Sequence, residues 1–175
     1  MRFLLTAAVA TAVTGSAAIA HAAELTVSVD VPKINVAEYH RPYVAIWLED
    51  SAGKVTNLAV WYNVNNNKKE GEKWLKDMRQ WWRKSGRELA MPVDGLSSPT
   101  RAPGTHQVRF DGAASPLKAL APGNYKLVVE AAREVGGREL VSLPFQWPAS
   151  GAAKAPITAD AKGSSELGAV KLSLK

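Results

Sequence analysis

The chain has 175 residues, of which 46% are apolar and 22% are charged, and its formal net charge is +6. This length and apolar content favour one domain with its own hydrophobic core and argue against wholesale disorder. The absence of cysteine excludes disulfide scaffolds, thiolate metal sites, iron–sulfur clusters and cysteine nucleophiles.

The N-terminus predicts export. Arg2 precedes a long apolar run that ends in Ala20-His21-Ala22, the small-x-small pattern that signal peptidase cleaves. We therefore predict a signal peptide over residues 1–22, cleavage after Ala22 and a periplasmic mature protein. A second apolar run of about 20 residues does not follow, so we expect no membrane insertion of the mature chain.

The charged residues are interleaved along the chain, as where Lys68-Lys69 is followed by Glu70. The sequence contains no recognisable nucleic-acid-binding motif, so we expect no nucleic-acid partner. The mild excess of positive charge predicts attraction for anionic ligands or partners.

Most of the remaining sequence has the patterns of β-strands. Apolar residues alternate with polar ones in several short segments bounded by Gly, Pro or Asn, which predicts half-buried strands. The predicted strands are residues 24–31, 43–50, 55–62, 107–112, 124–132, 138–147 and 166–174. This spacing indicates a mainly β fold, a single antiparallel immunoglobulin-like β-sandwich domain over residues 23–175. Residues 149–165 are rich in Ala, Gly, Ser, Pro and Lys and are predicted to be a flexible loop.

One segment has helical periodicity. Trp74, Leu75, Met78, Trp81 and Trp82 recur at spacings that place them on one helical face, which predicts an amphipathic Trp-rich helix inserted at about residues 69–85. The simplest interpretation is that this face is core. The alternative is that Trp81, Trp82 and Trp74 form a ligand-binding face.

The mature sequence offers no constellation of catalytic residues. His40 and His106 have no partner at metal-ligand spacing, and the motifs of zinc proteases and serine hydrolases are absent. We expect no metal site and interpret the protein as a non-catalytic carrier or binding protein.

The sequence resembles an exported bacterial family catalogued as domain of unknown function 2271. The matching blocks are residues 41–50, 58–62, 74–75 with 81–82, 100–104 and 130–134 with 136–139. The likeness covers the chain from Glu24 to Trp147. It implies association with flavin transferases, PepSY membrane proteins and iron-uptake receptors.

A second, local likeness concerns fold alone. Phe110-Asp111-Gly112 with residues 121–131 is similar to a hairpin of the immunoglobulin-like domain in flagellar hook-cap proteins. This implies the immunoglobulin-like architecture and no flagellar function.

Residues 94–101 are similar to the acceptor motif of exported flavoproteins. The resemblance implies that Thr100 carries FMN through a phosphoester, with Asp94, Ser97 and Ser98 as recognition positions and Arg101 favouring the anionic reduced flavin. The segment departs from the motif, because Ser98-Pro99 stands where Gly-Ala is usual. The alternative from the residues alone is an ordinary polar turn.

Three functions therefore remain open. The first is a periplasmic accessory protein of a redox or iron-uptake system, with FMN on Thr100 and electrons relayed with a PepSY membrane partner. The second is a binding module for an anionic ligand or partner protein. The third is a structural accessory domain that docks on a membrane partner.

Overall fold

The computed structural model describes residues 23–65, 67–148 and 156–175. The predicted signal peptide and residues 149–155 of the predicted loop lie outside the described residues. The strands are β1 Glu24–Val31, β2 Tyr43–Asp50, β3 Val55–Tyr62, β4 Ser97–Pro99, β5 Gly104–Asp111, β6 Gly123–Ala132, β7 Arg138–Trp147, β8 Ile157–Lys162 and β9 Ala169–Leu174. The helices are α1 Arg79–Lys84 and three 3-10 helices, Asn67–Asp77, Gly86–Glu88 and Leu117–Ala119.

The strands form two sheets, which confirms a mainly β fold. The four-stranded sheet has the order β5-β1-β9-β8, and all its pairs are antiparallel. The five-stranded sheet has the order β4-β3-β2-β6-β7, and only the short β4 pairs in parallel. Short turns that contain Gly connect three of the antiparallel pairs, β2–β3, β6–β7 and β8–β9.

The main core combines residues from both sheets. On β1, Leu25, Val27 and Val29 are fully buried, while the residues between them are partly exposed, as the alternation predicted. They belong to the same apolar cluster as Val44 and Ile46 of β2. Each such side chain contributes about 1.5–3 kcal/mol of hydrophobic stabilisation, so this cluster holds the two sheets together.

The other face of β2 is also buried. Trp47 on that face clusters with Tyr62 of β3 and with Leu75, Met78 and Trp81 of the helical segment. Strand β2 is therefore covered on both sides. This explains why its sequence is a nearly continuous apolar run rather than a strict alternation.

The structure corrects the predicted continuous helix at 69–85. The segment consists of the 3-10 helix to Asp77, a break at Met78 (φ −75°, ψ 71°) and the six-residue α1. Gly86, which follows α1, packs so closely that a Cβ atom there would lie 2.6 Å from the Trp81 ring. The segment follows the surface of the sheet by bending at Met78, so its tryptophans are not on one face.

The structure also corrects the predicted flexible loop at 149–165, because residues 157–162 form β8. The turn after β8 is fixed by Glu139 of β7, whose carboxylate accepts hydrogen bonds from the backbone N–H groups of Ser164, Ser165 and Leu167. Burial by itself raises the pKa of Glu139, but these hydrogen bonds lower it from 4.5 to about 2. A charged carboxylate therefore joins the two sheets at this corner.

Candidate functional site

The helical segment is anchored to the sheet by a buried carboxylate. Glu130 of β6 is fully buried and accepts hydrogen bonds from the backbone N–H groups of Gln80 (3.1 Å) and Trp81 (2.7 Å). These N–H groups lie in the first turn of α1 and have no partner within the helix. The Glu130 carboxylate thus determines where α1 begins.

Arg138 completes this anchor and reaches the surface. Its Nη1 donates a hydrogen bond to Glu130 Oε1 at 2.7 Å, while 42% of its side chain stays exposed. Arg138 therefore connects the buried carboxylate to the solvent-facing surface beside α1.

Two neighbouring cavities beside Arg138 together form a surface that we call the basic groove. A cavity of about 340 Å³ is lined by the residues Lys76, Arg79, Trp82, Arg83 and Arg138. It shares two of these residues, Arg79 and Arg138, with a neighbouring cavity of about 500 Å³ that extends to Trp74 and to the β6–β7 turn. Both cavities are open to solvent.

The basic groove carries excess positive charge. Lys76, Arg79 and Arg83 are exposed and form no ion pair with any side chain in the described parts of the chain. Carboxylates occur at one end only, where Asp77 and Glu134 line the larger cavity. The groove therefore presents unpaired cations along most of its length.

The three tryptophans proposed as a ligand face separate in the structure. Trp81 is fully buried, and its Nε1 donates to Asn57 Oδ1 at 2.8 Å. Trp74 is 46% exposed and lines the larger cavity, whereas Trp82 is half-buried and lines the smaller one. Trp81 is thus part of the core, and Trp74 and Trp82 belong to the basic groove.

A second arginine–glutamate pair lies beneath the β6–β7 turn. Arg133 donates to Glu166 through Nε (2.8 Å) and Nη2 (3.0 Å), and only 6% and 4% of the two side chains are exposed. The Glu166 hydrogen bonds raise the pKa of Arg133 above its usual value. Gly136 is required above this pair, because a Cβ atom there would lie 2.5 Å from the guanidinium carbon.

The segment proposed as a flavin acceptor lies at the opposite edge of the five-stranded sheet. Ser97 and Ser98 belong to β4, and the Ser97 hydroxyl accepts a hydrogen bond from the Val93 N–H at 2.9 Å. Asp94 is exposed in the preceding turn and bonds to the N–H of Gly95.

Thr100 and Arg101 follow β4 directly and are half-buried. The Arg101 guanidinium carbon lies 5.3 Å from the centre of the buried Trp61 ring, a cation–π contact. The Trp61 ring also contacts His106, whose Nε2 is 2.7 Å from the Ala102 carbonyl oxygen. Arg101 is therefore held against the fold rather than extended into solvent.

The structure does not bring the proposed acceptor and the tryptophans into one site. Arg138 of the basic groove lies on β7, at one edge of the five-stranded sheet, and the proposed acceptor follows β4, at the other edge. Neither cavity of the basic groove is lined by Asp94, Ser97, Ser98, Thr100 or Arg101.

The cations of the groove were visible in the sequence only as helix features. Arg79 and Arg83 lie late in the segment with helical periodicity, where basic residues favour a helix C-terminus. Their spacing of four, with Lys76 three residues earlier, is the signal that the sequence offers. Arg138 has no such signal, because it lies beside α1 only through the contact of both with Glu130. Lys84, the neighbouring basic residue, instead pairs with Glu49 of β2.

Other site chemistry is sparse in the described residues. The His40 ring lies near Glu38 (2.9 Å) and Glu134 (3.5 Å) at the surface, and no group of three or more His, Asp or Glu residues is arranged to hold a metal ion. Within the same residues, no helix has the length and apolar character needed to cross a membrane.

Comparisons with known proteins identify one family. The family model described as predicted periplasmic protein (DUF2271) matches residues 24–169. Neither the curated proteins nor the solved structures contain a significant match. Since the family model covers most of the chain, including every residue of the basic groove, the chain belongs to the DUF2271 family of predicted periplasmic proteins.

Proposed function

We propose that the protein is a non-enzymatic periplasmic binding module that holds an anionic ligand in the basic groove. The observation that carries this proposal is the arrangement of Lys76, Arg79 and Arg83 as unpaired cations beside Arg138. Such a cluster repels itself unless an anion lies among its members, so ligand binding lowers its electrostatic free energy.

The two tryptophans at the groove support the same function. Trp74 is 46% exposed, and Trp is enriched at binding surfaces because it carries a large apolar area and a polar N–H group. Trp74 and Trp82 would pack against the apolar parts of a ligand while the cations hold its anionic groups.

Isothermal titration calorimetry with pyrophosphate and with a capped hexaglutamate peptide tests the proposal. The variant Arg79→Gln/Arg83→Gln removes two groove charges, and Lys54→Gln/Arg109→Gln removes two exposed charges elsewhere. We expect at least one probe to bind, with a tenfold or greater loss in the groove variant and less than twofold in the control. Binding of neither probe, or equal loss in both variants, would contradict the proposal.

A second candidate is a redox carrier of an iron-uptake or electron-transfer system, with FMN attached to Thr100. The observation that favours it is the position of Thr100, half-buried directly after an edge strand, where a flavin transferase has access. The Thr100 hydroxyl would hold the phosphate, Arg101 would supply a neighbouring positive charge, and the bound flavin would supply electron transfer with a PepSY membrane partner.

Coexpression with a flavin transferase tests this candidate. Intact-mass measurement should show one FMN on the wild-type chain and on Thr105→Ala, the control, and none on Thr100→Ala. An unmodified wild-type mass would remove the redox candidate and leave the groove proposal standing.

We also infer that the two sheets form an immunoglobulin-like sandwich. The support is the Tyr125 hydroxyl near the start of β6, which donates to the Ala121 carbonyl at 2.8 Å, as in the tyrosine corner of such domains. An experimental structure superposed on immunoglobulin-like domains tests this inference.

A further inference from the structure

We propose that the ligand of the basic groove is an extended acidic segment of a partner protein. This inference rests on the proposed anion-binding function and deepens it. It follows from the spacing of the cations, the open shape of the groove and the distribution of charge along it.

The cations are arranged in a row. Lys76, Arg79 and Arg83 line the same cavity. Arg79 and Arg83 are four residues apart in α1, which corresponds to a rise of about 6 Å, and Lys76 lies on the other side of the break at Met78. In an extended peptide, side chains on one face repeat every 6.6–6.8 Å or so. Two acidic side chains at alternate positions therefore match the spacing of Arg79 and Arg83, and a third can extend toward Lys76, whereas a small anion reaches only part of the row.

The groove is also too open for a small ligand. Small-molecule sites enclose most of their ligand, but both cavities here are open to solvent. Trp74 and Trp82 lie among arginines, and Trp and Arg are the residues most often found at the centres of protein–protein interfaces. Shape and composition thus favour a polypeptide.

The charge distribution argues against a uniformly anionic surface such as a membrane. Asp77 and Glu134 lie at the Trp74 end of the groove, and they would repel an evenly charged surface. A short acidic peptide avoids this repulsion, because it can lie along the smaller cavity without reaching that end.

The experiment compares three probes on the full mature chain: the capped hexaglutamate peptide, pyrophosphate, and vesicles containing phosphatidylglycerol. Tryptophan fluorescence and calorimetry measure binding to the wild type, to Arg79→Gln/Arg83→Gln and to Lys54→Gln/Arg109→Gln. We expect the peptide to bind at least tenfold more tightly than pyrophosphate. The groove variant should lose tenfold or more of the peptide affinity, and the control less than twofold.

The remaining outcomes separate this inference from the proposed function. Pyrophosphate binding as tightly as the peptide, with loss in the groove variant, would overturn the peptide inference and leave an anion-binding groove. Preference for the vesicles would assign the groove to a membrane surface. Binding of none of the probes would overturn both the peptide inference and the proposed function.

Discussion

Two buried glutamates, Glu166 and Glu130, are each hydrogen-bonded to an arginine beside the β6–β7 turn. The two arginines differ in how much of the side chain is exposed to solvent. Arg133 is as buried as Glu166, so its charge is neutralised inside the protein. Arg138 pairs with the fully buried Glu130 but keeps 42% of its side chain exposed at the basic groove. The first pair supports the turn, and the second connects the fold to the proposed binding surface.

Of these two similar ion pairs, only the pair whose arginine reaches the surface is available for binding. In a fully buried pair each charge interacts with its partner inside the protein and is not accessible to a ligand. A half-exposed arginine has N–H groups left for an anion. Mutations in the two pairs should therefore have different effects on stability and on binding.

The largest effect is expected for Glu166→Gln. This change leaves the Arg133 charge buried without a carboxylate, which should lower the free energy of unfolding by about 3–5 kcal/mol. Urea denaturation measures the loss. Arg133 lines the larger cavity, but neither Arg133 nor Glu166 lines the smaller cavity that holds Lys76, Arg79 and Arg83. Anion affinity of the folded fraction should therefore change less than twofold.

The double variant Arg133→Met/Glu166→Leu is the control for this prediction. Replacing both charges with apolar side chains removes the unpaired charge and should restore at least half of the lost stability. A double variant as unstable as Glu166→Gln would show that the pair itself, and not the orphaned charge, determines stability.

The next largest effect on stability is expected for Glu139. Its carboxylate is held by backbone N–H groups instead of an arginine. Its folded-state pKa of about 2 lies below the unfolded value of 4.5, so its stabilisation is present above pH 4.5 and is lost as the pH falls toward 2. The difference corresponds to at most roughly 3 kcal/mol. Urea denaturation at pH 7, 4.5 and 2.5 should show a smaller pH dependence for Glu139→Gln than for the wild type. Parallel curves would contradict the assignment.

A smaller effect is expected for Glu130→Gln. The charge-assisted hydrogen bonds to the start of α1 weaken, which should cost about 2 kcal/mol. Unlike Glu166→Gln, this change should also weaken anion binding, because α1 carries Arg79 and Arg83. Calorimetry on the folded variant measures this, with Asp160→Asn, an exposed carboxylate on β8 of the other sheet, as control. Unchanged affinity would mean that α1 keeps its position without the buried carboxylate.

The smallest effect on stability is expected for Trp74→Ala, which alters the groove without touching either ion pair. Trp74 is 46% exposed, so the free energy of unfolding should change by about 0.5 kcal/mol or less. Peptide affinity should nevertheless fall several-fold, because the indole contact is lost. A large loss of stability would place Trp74 with the core instead.

The sequence predicted the strands well because their pattern depends on local alternation. Strands β1, β2, β3 and β7 have the predicted bounds. Strand β8 was missed, since its Ala- and Lys-containing sequence has the composition of a loop and its ladder with β9 and the Glu139 contacts come from distant residues. Helical periodicity could not reveal the break at Met78, because Glu130, which determines the start of α1, is about 50 residues away.

The candidate site was predictable only in part for the same reason. Periodicity selected Trp74, Trp81 and Trp82 but could not tell which of them faces the sheet. The basic groove requires Arg138 beside α1, and this proximity arises because α1 is bound to Glu130, 49 residues after Trp81, and Glu130 in turn binds Arg138. A long-range contact therefore created the site that local patterns did not show.

Chemical-shift mapping of the six tryptophan indole N–H groups during titration with hexaglutamate is the most direct test of the basic groove as a binding site. The signals of Trp74 and Trp82 should shift together with saturation. The signals of the buried Trp47, Trp61, Trp81 and Trp147 should stay in place. Shifts confined to Trp61, beside Arg101, or no shifts at all would show that hexaglutamate does not bind in the basic groove.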